Sequence, residues 1–250
     1  DVVGLGKTII AAMIIKKFIY ENGSHTKVLI VCPPAIKSNW QRTANDFMID
    51  NHLRYVTTGS LHKVLDNDFT DLPDADNYDL IIVDESHKFR NDYTEMYLAL
   101  QEICKTKRAR PGEIGDTKKK VILISATPLN NRPDDIENQL YLFQDKRNST
   151  LDTVKNLQEY FKPINEKYKK LSSDAQINIP KLRALFDQLR NDIIEPLVIR
   201  RTRKDIEGNE DYLEDLKKQK IEFPKVDDPT PLNYQLDGNK IRLSSLFKMF

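Results

Sequence analysis

Three short apolar runs set the rhythm of the chain: Val28-Leu-Ile-Val-Cys32, Leu80-Ile-Ile-Val83 and Val121-Ile-Leu-Ile124. Each is too short for a typical helix, rich in β-branched residues and bounded by polar or turn residues. They are unbroken rather than alternating, the pattern of strands buried on both faces of a parallel sheet. Arg54-Tyr-Val-Thr-Thr58 is a weaker fourth candidate. Helical patterns lie between the runs: Ile9–Glu21, closing on Gly23 as a C-cap, then Ser38–Met48 and Tyr93–Cys104. Strand–helix alternation of this kind predicts an α/β domain built on a doubly wound parallel sheet.

After about Asn130 the texture changes. Pro133 followed by Asp134 and Asp135 is a good helix start, with proline in the first turn and acids near the positive end. From there to Glu195 the chain is charged, free of glycine and helical in pattern. Breaks are expected at Lys162-Pro163 and Ile179-Pro180, and Leu197-Val-Ile199 reads as a return to strand. Beyond Gly208 the chain turns polar, with Asp227-Asp-Pro-Thr-Pro231 as a linker or turn. The Lys105–Arg110 and Lys118–Lys120 runs read as solvated loop charges, and there are no internal repeats.

Composition narrows this picture only modestly. With 250 residues there is ample length for one large domain or two small ones, and 39% hydrophobic with 31% charged residues is a globular profile. A net charge of +1 gives no global electrostatic case for nucleic acid or membrane, so any such surface must be a local patch. Two distant cysteines, Cys32 and Cys104, argue against a disulfide framework or a zinc site and favour a reducing compartment. No apolar run reaches membrane-spanning length, no signal peptide precedes the first motif, and no membrane partner is expected.

The chemistry starts at the first residue. In Asp1-Val-Val-Gly-Leu-Gly-Lys7-Thr8, two glycines let the backbone approach closely, so that N–H groups and the positive helix end can face phosphate oxygens. Lys7 can reach the β- and γ-phosphates, and the Thr8 hydroxyl is placed for Mg²⁺. Gly4, Leu5, Gly6, Lys7, Thr8 and Ile9 form the candidate nucleotide cradle. The general G-x-x-x-x-G-K-[ST] pattern has glycine where this chain has Asp1, and such a turn taken alone also serves as a plain connection. Because a phosphate loop normally follows an anchoring strand, more chain is expected ahead of Asp1.

The second motif, Asp84-Glu85-Ser86-His87, directly follows an apolar run, where open parallel sheets bind ligands. One carboxylate there can hold Mg²⁺, usually through water, and its neighbour can orient or deprotonate the attacking water. Asp84 takes the metal role with Thr8, and Glu85 the general-base role, with Lys7 as the third catalytic candidate. In isolation the same residues read as a solvated acidic strand end. The third motif, Ser125-Ala-Thr127-Pro-Leu-Asn130, again ends an apolar run. Its hydroxyls at Ser125 and Thr127 are suited to bonding the acids and relaying nucleotide state to neighbouring loops.

Taken in this order, GLGKT, DESH and SATPLNN resemble a superfamily II helicase of the DEAD/DEAH-box-related kind, and specifically the Swi/Snf-like DNA-dependent ATPases. Asp at the start of the phosphate loop is common in that family. Val31-Cys-Pro-Pro-Ala35 with Asn39-Trp40 resembles motif Ia, and Thr57-Thr-Gly-Ser-Leu61 resembles motif Ib. Leu197-Val-Ile-Arg-Arg-Thr-Arg-Lys204 resembles the block that closes the first motor lobe. The likeness covers about residues 1–206.

The resemblance implies a parallel-sheet P-loop NTPase (RecA-like) lobe over 1–206, with a helical insertion over about 145–196. Residues 207–250 would be a linker or tail towards a second lobe. It implies ATP and Mg²⁺ as cofactors and double-stranded DNA as partner, held by its backbone with little sequence specificity. Lys37, Asn39, Thr58, Ser60 and Arg201 are the implied nucleic-acid contacts. The first four could equally cap helices; Arg200, Arg201 and Arg203 bind phosphates or pair with acids. The second lobe's Gln-x-x-Gly-Arg-x-x-Arg type of motif does not occur in these 250 residues. A motor on RNA or in a restriction or defence system, and a nucleotide-binding module without turnover, are the alternatives. The expected location is intracellular, at the nucleoid in a prokaryote or in the nucleus of a eukaryote.

Overall fold

The structure, a computed structural model, describes residues 6–66, 72–108, 118–126, 132–173, 178–199 and 208–219. Four strands form among the described residues: β1 Val28–Cys32, β2 Leu53–Thr57, β3 Leu80–Asp84 and β4 Lys120–Ile124. They make one sheet in the order β2-β1-β3-β4, with every neighbouring pair parallel. The unbroken apolar runs explain the positions of β1 and β3, which are buried at every residue in the middle of the sheet. At the edge, β2 is buried at Leu53 and Val56 but exposed at Arg54.

Among the described residues the α-helices are α1 Lys7–Asn22, α2 Lys37–Asp46, α3 His62–Leu65, α4 Glu95–Lys105, α5 Pro133–Tyr141, α6 Leu157–Ser173, α7 Ile179–Leu189, α8 Glu195–Leu197 and α9 Glu210–Gln219. Alternate strand residues feed two cores. Val28, Ile30, Cys32, Leu80 and Ile82 pack with Ala11, Ala12 and Ile15 of α1 and with Trp40 and Ala44 of α2. Leu29, Val31, Ile81 and Val83 pack with Val64 of α3 and with Tyr97, Leu100 and Ile103 of α4. Helices therefore cover both faces, as buried parallel strands demand. A third core, centred on Leu157, Phe161, Leu189 and Ile193, joins α5, α6, α7 and the chain that follows. By compactness the chain divides into residues 1–206 and 207–250.

Several local expectations hold. Gly23 ends α1 at φ 93°, where its N–H bonds the Ile19 carbonyl at 2.9 Å. Pro133 opens α5 with Asp134 and Asp135 in its first turn, and Ile179-Pro180 opens α7. Two others do not. Pro163 lies inside α6 rather than breaking it. The helix runs through because Phe161 and Ile164 on either side are buried, while Pro163 itself faces outward. Leu197-Val-Ile199 forms no strand: Leu197 ends α8 and Ile199 is 85% exposed, so the run has no sheet to join. The unit beyond 206 also contains a helix, α9, which its polar sequence did not announce; the Asp227–Pro231 turn lies outside the described residues.

At the sheet's amino-terminal rim, the buried Asp79 accepts the Lys27 backbone N–H at 2.8 Å and the Arg108 guanidinium at 3.0 Å. Nearby, Lys119 is buried and its ammonium donates to the Ile103 carbonyl at 2.7 Å, at the negative end of α4. Burial lowers its pKa from 10.5 to about 8. The unfolded chain therefore holds this proton more tightly, and stability rises with pH across that window. Measured against Lys119→Met, which cancels the contributions of the tyrosines and thiols, the native chain should gain roughly 2 kcal/mol between about pH 7.5 and about pH 9.5. Urea melts of the two proteins at those pH values check this, and parallel curves would refute it.

Candidate nucleotide-binding site

Parallel strands end at a common rim. Val31 pairs with Val83, and Asp84 with Ile124, so Cys32, Asp84 and Ser125 come side by side where β1, β3 and β4 finish. The amino-terminal end of α1 belongs to the same place, since the positive charge of Lys7 acts on the Asp84 carboxyl.

Gly6 precedes α1 at φ 71° and ψ 31°, a left-handed conformation that glycine adopts without a Cβ penalty. Its carbonyl takes the Ile10 N–H at 3.0 Å. Lys7, Thr8 and Ile9 thus form a first turn whose N–H groups have no helical carbonyl to meet. Among the described residues no side chain caps this end, and no acid lies in the turn. Such a terminus favours an anion. Thr8 is half-buried and Ile9 exposed, while Gly4 and Leu5 lie outside the described residues.

Asp84 is buried and pinned. Oδ2 accepts the indole N–H of Trp40 at 2.8 Å, and Oδ1 accepts the backbone N–H of Glu85 at 2.8 Å. Burial is the largest influence on the carboxyl and raises its pKa. The Trp40 and Glu85 hydrogen bonds and the Lys7 charge oppose this, and the Glu85 charge adds to it. Sequence reading did not foresee Trp40 in this role. The available signal was that a fully buried tryptophan usually needs an acceptor for its N–H.

Glu85 takes φ 54° and ψ 45°, rare for a residue with a side chain and a known mark of functional turns. The turn sends the Glu85 N–H back to Asp84 and leaves its own carboxylate partly open to solvent. His87 Nδ1 lies 3.1 Å from Glu85 Oε2, near enough to feel its charge but not aligned for a hydrogen bond. Ser86 is buried and donates to Gln139 Oε1 of α5 at 3.3 Å, a link the sequence also hid.

Ser125 is buried just past β4, and Thr127 lies outside the described residues. Lys37, half-buried, and Asn39, exposed, sit in the first turn of α2 after β1; Asn39 Oδ1 accepts from Arg42 at 3.0 Å. Thr58 and Ser60 occupy a single helical turn after β2, where Ser60 Oγ accepts from Thr57 at 3.1 Å. All four follow strands ending at the same rim; Arg201 lies outside the described residues. The Cys32 thiol, at the end of β1, is pushed up to about 11 by burial, with the Asp84 charge adding and Lys37 opposing. Burial holds Cys104 at about 12.

The residues fit a hydrated Mg²⁺ bound with a triphosphate. A fixed carboxylate and a helix-start hydroxyl are hard oxygen donors, and the backbone N–H groups of a helix's first turn suit anionic oxygens.

Sheet and covering helices together define an α/β domain built on a parallel sheet, with helices on both faces, as in a RecA-like fold. No protein-family model matches the chain. Over 154 residues, 58% of this chain and 25% of the other, it is 29% identical to the "Uncharacterized ATP-dependent helicase YqhH" of Bacillus subtilis (strain 168). The matched region thus spans about a quarter of that relative's length. Among solved structures it is similar to the Sulfolobus solfataricus SWI2/SNF2 ATPase core in complex with dsDNA, with a TM-score of 0.50 and 18% identity over 81% of this chain and 39% of that one. The fold is therefore similar to part of the SWI2/SNF2 ATPase core, and the sequence likeness is to an ATP-dependent helicase.

Proposed function

We propose that the chain is the ATP-binding lobe of a DNA-dependent ATPase that couples hydrolysis to movement along duplex DNA inside the cell. The observation that carries this reading is the convergence of Lys7, Asp84 and Glu85 at one rim of a parallel sheet, with the Lys7 charge acting on Asp84. Backbone N–H groups at the start of α1 and the Lys7 ammonium bind and orient the phosphates. Thr8 and Asp84 would hold Mg²⁺, which when bound neutralises charge between the β- and γ-phosphates. Glu85, one residue past the metal carboxylate and open to solvent, takes the proton of the attacking water. The two adjacent carboxylates differ in setting, Asp84 buried and Glu85 partly exposed after the αL turn, which suits them to separate duties.

Support for the duplex is twofold: the fold likeness to a core captured with dsDNA, and the placement of Lys37, Asn39, Thr58 and Ser60 after strands that end at the nucleotide rim. Contacts from such residues to phosphate position a protein without reading bases. A single lobe supplies only one side of the nucleotide site. An arginine reaching the γ-phosphate from a second lobe is worth on the order of a thousand-fold in turnover. The chain alone is expected to bind Mg·ATP and hydrolyse it slowly. With its second lobe, turnover should rise on adding duplex DNA of any sequence, and much less with RNA. Equal stimulation by RNA, or rapid DNA-stimulated turnover by these 250 residues alone, would overturn this reading.

A further inference from the structure

We propose that Trp40 is a positioning residue for the metal-binding carboxylate, fixing Asp84 through its indole N–H and tying it to α2. The inference rests on the nucleotide-binding reading and adds to it a part for the helix that carries Lys37 and Asn39. Trp40 is the only tryptophan in the chain and is 1% exposed. It lies in the second half-turn of α2, and its Nε1–H meets Asp84 Oδ2 at 2.8 Å across 44 residues of sequence.

A carboxylate can turn about its last side-chain bond unless both oxygens are engaged. Here each oxygen has one donor, Trp40 on Oδ2 and the Glu85 backbone on Oδ1. One oxygen is therefore fixed from β3's own turn and the other from a different element. Each oxygen still keeps a free lone-pair direction for a further ligand. The ring itself is seated in the core shared by α1, α2 and the sheet, the one that also holds Ala11, Ile15 and Ile82. That seat fixes the direction of the N–H, so α2 and Asp84 cannot shift independently without losing the bond. Partners of this outer kind are typically worth ten- to a hundred-fold in metal affinity.

Filling the core requires only the rings of the tryptophan; positioning requires its N–H. Trp40→Phe keeps most of the apolar volume and removes the donor. Equilibrium binding of ATP to the 250-residue chain, with and without Mg²⁺, separates the two roles. The expected result is a roughly ten-fold or greater loss of Mg·ATP affinity with metal-free ATP binding unchanged. That loss should vanish when Trp40→Phe is made in an Asp84→Asn background. Equal weakening of both ATP forms, or lowered thermal stability with native Mg·ATP affinity, would overturn the proposal while leaving the nucleotide site standing. Failure of the native chain to bind Mg·ATP at all would instead overturn the underlying reading, and this inference with it.

If Trp40→Phe does not fold, the native side chain is its own reporter. Adding Mg²⁺ to the ATP-bound chain should shift the Trp40 emission, and the same addition to Asp84→Asn should not. A native emission that ignores the metal overturns the proposal.

Discussion

Glu85→Gln is expected to keep Mg·ATP binding close to native and to cut hydrolysis by about a hundred-fold or more, in the range typical for a lost general base. Glutamine is isosteric and tolerates the same backbone, so the left-handed turn and its bond back to Asp84 Oδ1 should survive. What disappears is an acceptor for the proton of the attacking water. Single-turnover hydrolysis, beside equilibrium binding, checks both halves. Turnover that survives would remove Glu85 from the base role. Binding lost together with turnover would mean that the turn itself had collapsed.

Lys7→Ala should act the other way, on binding first. The ammonium stands at the start of α1, half-buried, and its charge reaches Asp84. A hydrogen bond from the ammonium to a charged phosphate would be worth about 1.5 to 3 kcal/mol, or roughly ten- to a hundred-fold in Kd. Asp84 would lose a compensating charge while remaining buried, so its carboxyl should move further in the direction that burial already drives it. Calorimetric titration with Mg·ATP measures the first effect. Native affinity in Lys7→Ala would show that the lysine does not face the nucleotide.

Much of this site was legible because its logic is local. Unbroken apolar runs with turn residues behind them mark parallel strands, and parallel strands deliver their carboxyl ends to one rim. Asp84 and Ser125 could therefore be placed together without coordinates. The glycine turn at Gly6 and the helix that follows it were read from local chemistry within a few positions. The remainder depends on long-range packing that no window of sequence displays. Trp40 and Asp84 are 44 residues apart, and Ser86 and Gln139 are 53 apart. Pro163 misled because a proline is a helix breaker on local grounds, whereas the buried aromatic at Phe161 and the aliphatic at Ile164 hold the turn regardless. The run at Leu197–Ile199 misled for the opposite reason: β-branched residues favour a strand only where another strand offers hydrogen bonds. Lys119 sits in a charge run that reads as solvated, yet the end of α4 draws it inside.

The state of the two thiols has a practical side. Cys32 and Cys104 are the whole cysteine complement of the chain; both are buried, and both are held well above the pH at which alkylating reagents work. Only a thiolate attacks such reagents. A cysteine introduced on an exposed helix position, such as Asn39, would thus be the sole attachment point for a dye or spin label, and changes around α2 could be followed without first stripping out native sulfhydryls.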